Sequence, residues 1–369
     1  MHSNLATFLK KYDFSFFILM VLIFVIGVLN LYSATHAISD KQVDGLYKTQ
    51  MTYFALATCI GIFASFVKSK TLFRYSYLIY IINVVLVIMV LIIGVKVLGA
   101  RRWLDLGIIR FQPSEIMKLS LVLMLGRWYS ARDPETDIGL KEMILPSIFV
   151  IIPSIIVIIQ PDLGTGIILL LVFFSITFYR RLKWKPIIII GILVSVGSIF
   201  MYQFGLKDYQ KQRVITFFDP WEDVKGYGYN AIQSEIAIGS GQIFGKGFKK
   251  SSQASLSYLP ENHTDFAFSV FNEEHGIFGS IILIGLYIAL FMRFIWLSIA
   301  ATNFYDSVIV IGLMSIFFWH TFINMSMTTG LLPIVGIPLP LISYGGSSLI
   351  TFGLCCGIAT SISNSRKLF

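Results

Sequence analysis

The sequence predicts an all-α polytopic membrane protein of about ten spans, and three observations carry that prediction. Of its 369 residues, 56% are hydrophobic and only 13% are charged, with a mean hydropathy of +0.77. Ordinary soluble domains are about 25% charged. The apolar residues gather in runs close to the ~20 residues that a helix needs to cross a bilayer. The cationic residues fall in alternate loops between those runs. A typical soluble enzyme, a disordered chain and a nucleic-acid-binding domain are excluded. The net charge of +9 reflects bias at membrane edges. Cys59, Cys355 and Cys356 all sit inside apolar runs. They read as packing residues, since their spacing suits neither zinc nor a disulfide framework.

The clear runs are 14–34, 51–67, 75–98, 186–203, 275–298 and 307–329. Weaker runs, expected to be tilted or partly embedded, are 113–131, 143–159, 166–179 and 346–362. The first run is too long for a signal-peptide core and lacks a small-residue cleavage site, so it reads as an uncleaved anchor. Lys10 and Lys11, then Lys68, Lys70 and Arg74, then Arg127, Arg132 and Lys141, then Arg180, Arg181, Lys183 and Lys185, and finally Arg366 and Lys367 all fall on one side. That side is expected to be cytoplasmic, with both termini inside. The outer loop 99–112 breaks the rule with Arg101, Arg102 and Arg110, which suggests that it binds an anion. One long outer loop starts at 204 between spans 7 and 8, runs to about 264 and, with the segment that re-enters the membrane, reaches 274. The whole of 1–369 reads as one integral membrane domain.

Five constellations carry polar chemistry. In GARRWLDLGIIRFQPSEIMK (99–118), Pro113 suits the first turn of span 4 and places Gln112 near its cap. Glu115 and Lys118 then share a helix face. Arg101, Arg102 and Arg110 have the planar fork that matches phosphate oxygens. The structural alternative is an internal ion pair, with Trp103 in an interfacial belt. In QPDLGTG (160–166), Asp162 is either a helix cap or a cavity residue. In LPENHTDFAFSVFNEEHG (259–276), Asp265 precedes Phe266, Ala267 and Phe268, where partial desolvation suits a base; its structural alternative is an N-cap. Glu273 and Glu274 are expected to open span 8. In NMSMTTGLLPIVGIPLPLISYGGSS (324–348), three prolines forbid a regular helix, and Ser343 and Tyr344 could offer donors to a ligand. The alternative is a turn that lets span 10 pack through Gly353 and Gly357. His320 and Asn324 sit on span 9, where the lone histidine reads as a helix-to-helix hydrogen bond and not as a ligand. Within the long loop, Lys246, Lys249 and Lys250 make a basic patch, either solvated or facing anionic lipid.

Those four stretches, with the DPWED and GSGQIFGKGF segments of the long loop, resemble the SEDS family (shape, elongation, division, sporulation) in order along nearly the whole chain. GIPLP and the compact termini resemble its rod-shape elongation branch. The resemblance implies a peptidoglycan glycosyltransferase of the bacterial inner membrane that polymerises lipid II at the outer face. It implies a class B penicillin-binding protein of the PBP2 type and elongation-machinery membrane proteins as partners. The family's essential carboxylate falls on Asp265, and its cavity residues fall on Trp103, Arg110, Gln112, Glu115 and Lys118. The reaction expected is inverting attack by an acceptor hydroxyl, with Asp265 as base and Arg102 and Arg110 on the pyrophosphate. Arginines or a divalent cation, magnesium or manganese, would stabilise the leaving charge; no organic cofactor is expected. A lipid II flippase, a non-catalytic scaffold of the elongation machinery and another lipid-linked sugar polymerase are the competing readings. The outer clustering of ionisable residues argues against the flippase.

Overall fold

The computed structural model describes residues 12–36, 45–97, 100–105, 107, 110–205, 208–223, 226–256 and 258–366. Lys10, Lys11 and Lys367, the end of run 75–98, and residues 106, 108 and 109 of the arginine loop lie outside them. Ten long helices appear among the described residues, one for each apolar run. They are α1 (Ser15–His36), α2 (Leu46–Ser65), α3 (Ser69–Ile93), α4 (Pro113–Ser130), α5 (Leu140–Ile159), α6 (Leu163–Tyr179), α7 (Trp184–Phe200), α11 (Ala267–Ile299), α12 (Phe304–Thr328) and α13 (Gly346–Arg366). Seven are long and apolar enough to cross a bilayer by length and composition. The other three are α2, α4 and α6. Helix α4 carries Glu115, Lys118 and Arg127, yet most of its residues are buried. A helix shielded by its neighbours need not be apolar, because it meets no lipid. The opposite extreme is α7, almost wholly apolar, whose most apolar stretch has no residue buried inside the protein. Such a helix is stable only where the surroundings are themselves apolar.

The bundle has two chemically distinct ends. At one end the basic loops stitch helix termini together. Arg127 donates to the carbonyls of Phe73 (3.1 Å) and Arg74 (2.8 Å), and Arg180 donates to those of Asp133, Pro134 and Thr136. Nearby, Arg293 of α11 pairs with Asp13, which also accepts from Ser15 and Ser363. Burial alone would push the Asp13 carboxyl up, but the hydrogen bonds from Ser15 and Ser363 and the Arg293 charge hold it below its ordinary range. The other end carries the hairpin after α3, the break before α6 and the broken segment before α13.

Helices α2 and α13 meet backbone to backbone. A Cβ on Gly353 or Gly357 would collide with the carbonyls of Ala57 or Gly61, and one on Gly61 would lie 2.6 Å from the Gly353 oxygen. The glycines read as a packing motif therefore do pack, as small residues do at helix contacts in lipid. Gly357→Leu is expected to force these helices apart and cost about 3 kcal/mol or more. A thermal midpoint in detergent matching the wild type would refute the tight contact.

Two features were not read from the sequence, and one expectation needs correction. The arginine loop is not wholly irregular: β1 (Val95–Val97), β2 (Ala100–Asp105) and β3 (Arg110–Phe111) form an antiparallel sheet in the order β1-β2-β3. Lys96 faces Arg101 and Asp105 faces Arg110. The pairing satisfies backbone groups at the membrane edge, which a span count alone does not reveal. Second, the long loop is largely helical, with α8 (Asp208–Phe218), α9 (Tyr227–Ser240) and α10 (Ser252–Ser255). Third, α11 begins at Ala267, so Glu273 and Glu274 do not open it. They end its first segment, just before a break at Gly276 (φ 64°, ψ −164°). That positive φ favours glycine. The break exposes backbone groups that the strap 242–247 satisfies: Lys246 N–H donates to Glu273 O (2.9 Å) and Ile277 N–H to Gln242 O (2.9 Å). Lys246 Nζ also pairs with the buried Glu273 carboxylate at 2.5 Å, and Lys249 Nζ lies over the Tyr32 ring at 4.4 Å. The expected basic patch is therefore partly consumed by internal pairing.

Candidate active site

A cavity of about 590 Å³ opens at the end of the bundle away from the basic loops. The neighbouring arginines of β2 make different contacts. Arg101 reaches back to the carbonyls at the end of α3, 3.4 Å from Leu91 O and 3.5 Å from Ile92 O. Arg102 lines the cavity, donating from Nε to Gln160 O (3.3 Å) and from Nη2 to Pro161 O. Of the three loop arginines, then, Arg101 stands apart, while Arg102 and the exposed Arg110 face the cavity beside Trp103.

The wall opposite is built from helix termini. Gln112 is the N-cap of α4, followed by Pro113. Its amide donates to Asp162 Oδ2 at 3.1 Å, while Asp162 Oδ1 caps α6 by accepting from Thr165 N at 3.2 Å. Both readings of Asp162 hold at once: it is a cap, and it lines the cavity. Ser347 Oγ donates to Arg110 O (3.2 Å) and accepts from Gln112 N (3.3 Å), tying the sheet to the start of α13.

Asp265 enters from the segment before α11. Phe266, Ala267 and Phe268 turn into the core, whereas Asp265 is half-buried and borders the cavity. The N-cap of α11 is Phe266, so Asp265 is not the cap. Its carboxylate lies against Gly336 of the broken segment; a Cβ there would sit 3.2 Å from Asp265 Oδ2. Gly336 has φ 72°, a second reason for glycine at that point.

Two expected site residues stand behind the wall. Lys118 is fully buried, its ammonium donating to Glu115 Oε1 (2.8 Å) and to His320 Nε2 (2.7 Å). Glu115 lines the cavity, and its buried Oε2 has no hydrogen-bond partner among the described residues. Ser343 is buried too: its hydroxyl donates to Thr264 O (2.5 Å) and accepts from Leu339 N (2.9 Å). It fixes the loop next to Asp265, with its one proton and one of its two acceptor positions engaged inward. Tyr344 lines the cavity, and its backbone N–H donates to His263 O at 2.9 Å. Burial, then the neighbouring Tyr53, raises the Tyr344 phenol above its ordinary range. Burial depresses the His263 imidazole despite the opposing charge of Glu261. His263 is thus neutral near pH 7.

Tyr53, Asp105 and Ser347 also line the cavity and were not singled out from the sequence, and Thr165, read as a possible cap of span 6, lines it too. Gln50 was missed as well. It is buried, donates to Ser343 O (3.0 Å) and accepts from Gly345 N (3.2 Å). A glutamine just before an apolar run was the available signal. Among the described residues, no three His, Cys, Asp or Glu side chains group as metal ligands, so a self-contained cage is not built here.

The fold and this cavity define a polytopic membrane protein with a polar site at one end of the bundle, where carboxylates and arginines line a common space. The chain belongs to the FtsW, RodA and SpoVE family: the sequence model described as "Cell cycle protein" matches residues 13–368. It is 39% identical over 366 residues to the peptidoglycan glycosyltransferase MrdB of Escherichia coli K12, covering 99% of this chain and 97% of that protein. Two solved structures share the fold. One, described as "Structural coordination of polymerization and crosslinking by a peptidoglycan synthase complex", superposes with a TM-score of 0.81 at 28% identity, covering 96% of this chain and 98% of the other. The other, Thermus thermophilus rod shape determining protein RodA, gives 0.71 at 27% identity, covering 96% and 97%. The resemblance to the elongation branch is borne out.

Proposed function

We propose that this protein is a peptidoglycan glycosyltransferase that joins lipid II units into glycan strands, with Asp265 as general base. One observation carries the reading: Asp265 shares a 590 Å³ cavity with Arg102, Arg110, Gln112, Glu115 and Asp162. That volume falls in the range of small-molecule sites. Asp265 takes the proton from the acceptor hydroxyl, whose oxygen attacks the anomeric carbon of the donor and inverts it. The pyrophosphate-lipid leaves as an anion, so no second carboxylic acid is needed, unlike glycoside hydrolysis. Arg110, exposed at the rim, and Arg102, anchored on the Gln160 and Pro161 carbonyls, are assigned to the pyrophosphate oxygens.

A divalent cation belongs to the same proposal. Magnesium is commonly held by one or two carboxylates together with substrate phosphates, which needs no protein cage. The protein sits in the bacterial inner membrane, with its basic loops cytoplasmic and the cavity facing the periplasm. A class B penicillin-binding protein cross-links the strands beside it, and elongation-machinery membrane proteins complete the assembly. The synthase-complex neighbour supports such a partner.

The test is the purified protein with its penicillin-binding partner and labelled lipid II, with products resolved by length, with and without chelator. Glycan ladders are expected. Transbilayer movement of lipid II in liposomes without polymer would favour the flippase. In the same assay Arg110→Ala is expected to raise KM about tenfold or more, the loss of one charge-assisted contact. A change in thermal midpoint alone would make Arg110 structural.

A further inference from the structure

We propose that His320 and Asn324, neighbours on one face of α12, are positioning residues that hold Asp265 in register with the Glu115–Lys118 pair. The inference rests on the function proposed above. The two residues are four apart, hence one above the other on the helix, and both are buried. Asn324 Nδ2 donates to Asp265 O at 2.9 Å and to Ile337 O at 2.7 Å. Both partners are carbonyl oxygens, so only the amide nitrogen can face them. One side chain thus fastens the backbone of the base to the broken segment, at the residue after Gly336, against which the Asp265 carboxylate lies.

One turn earlier, His320 does the same for the other wall. A lysine ammonium can only donate, so His320 Nε2, 2.7 Å from Lys118 Nζ, is the acceptor. Its Nδ1–H then donates to Pro338 O at 3.3 Å, and the ring is neutral. Lys118 carries the connection on to Glu115 at 2.8 Å. The broken segment is pinned at Ile337 by Asn324 and at Pro338 by His320. Three parts of the cavity from distant stretches of sequence therefore hang on one helical face. Neither residue lines the cavity, so both act through others. Misplacing a catalytic group by about 1 Å can cost roughly 100-fold in rate. That makes such a clamp functional beyond its own hydrogen bonds.

The experiment compares kcat and KM for strand synthesis by the complex with its penicillin-binding partner, alongside thermal midpoints. Asn324→Ala is expected to lower kcat about 10- to 100-fold, with KM within about twofold. The double variant Asp265→Asn/Asn324→Ala is expected to be no slower than Asp265→Asn, since the clamp acts through that base. His320→Gln, which keeps an acceptor for Lys118, is expected to retain more rate than His320→Phe, which has none. Wild-type kcat in Asn324→Ala, additive losses in the double variant, or equal rates for the two His320 variants would overturn the inference. If Asn324→Ala fails to fold, the His320 pair decides it. Should Asp265→Asn polymerise like the wild type, the functional reading itself falls. An inactive Asp265→Asn beside an unimpaired Asn324→Ala removes the positioning role alone.

Discussion

Asp265→Asn is expected to fold, insert and bind its partner, yet to lose about 10²–10⁴-fold in strand synthesis, the usual contribution of a positioned base. The substitution is nearly isosteric, so the contact with Gly336 and the bond from Asn324 to the residue 265 carbonyl both survive. What disappears is an acceptor able to carry away a proton. The loss is expected in kcat, because the group acts on the reacting hydroxyl and not on the lipid. Near-normal ladders from the mutant, at unchanged protein and partner levels, would remove Asp265 from the role. The scaffold alternative makes that contrary prediction, so one measurement separates the two.

Lys118→Met is expected to be the most destabilising polar substitution in the bundle. Lys118 is fully buried, and its ammonium holds Glu115 at 2.8 Å. Its removal strands a carboxylate whose Oε2 already has no partner among the described residues. Breaking a buried pair from one side costs about 3–5 kcal/mol, because the remaining charge is left uncompensated. In a protein of this size that is a drop on the order of 10 °C in thermal midpoint. The double variant Glu115→Gln/Lys118→Met removes both charges and is expected to recover most of the stability but not the activity. If Lys118→Met melts with the wild type, the pair is not ionic. If the double variant melts as low as the single, the cost lies in packing and not in charge.

Much of this molecule is legible in its composition. Each of the ten apolar runs became a helix, because a chain in lipid must satisfy its backbone within each segment. Residues flanking Pro113 and Pro161 were read correctly as helix starts, since capping chemistry is local. The family motifs pointed to the cavity, and most of the residues they marked do line it. The failures share a different character. Whether Arg101 or Arg102 faces the cavity depends on strand register, and nothing in the residue types foretold a sheet there. Glu273 looked like a helix-start acid, but it is instead the anchor for Lys246, Ser251 and Ser252, because a strap from the long loop folds over the break at Gly276. Ser343 looked like a ligand donor, yet its hydroxyl is spent on Thr264 and Leu339.

By itself, then, the sequence determined the membrane class, the number and order of the spans, the side that carries positive charge, and the set of polar residues available for chemistry. Those follow from transfer free energies and local backbone rules, which act over one helix or one turn. Only the tertiary structure decided which polar groups meet. Asp265 faces Gly336 across 71 residues of chain, as the two numbers show. Lys118 finds His320 at a separation of 202. Contacts of that range depend on how ten helices pack together, and no local pattern of residues encodes that packing.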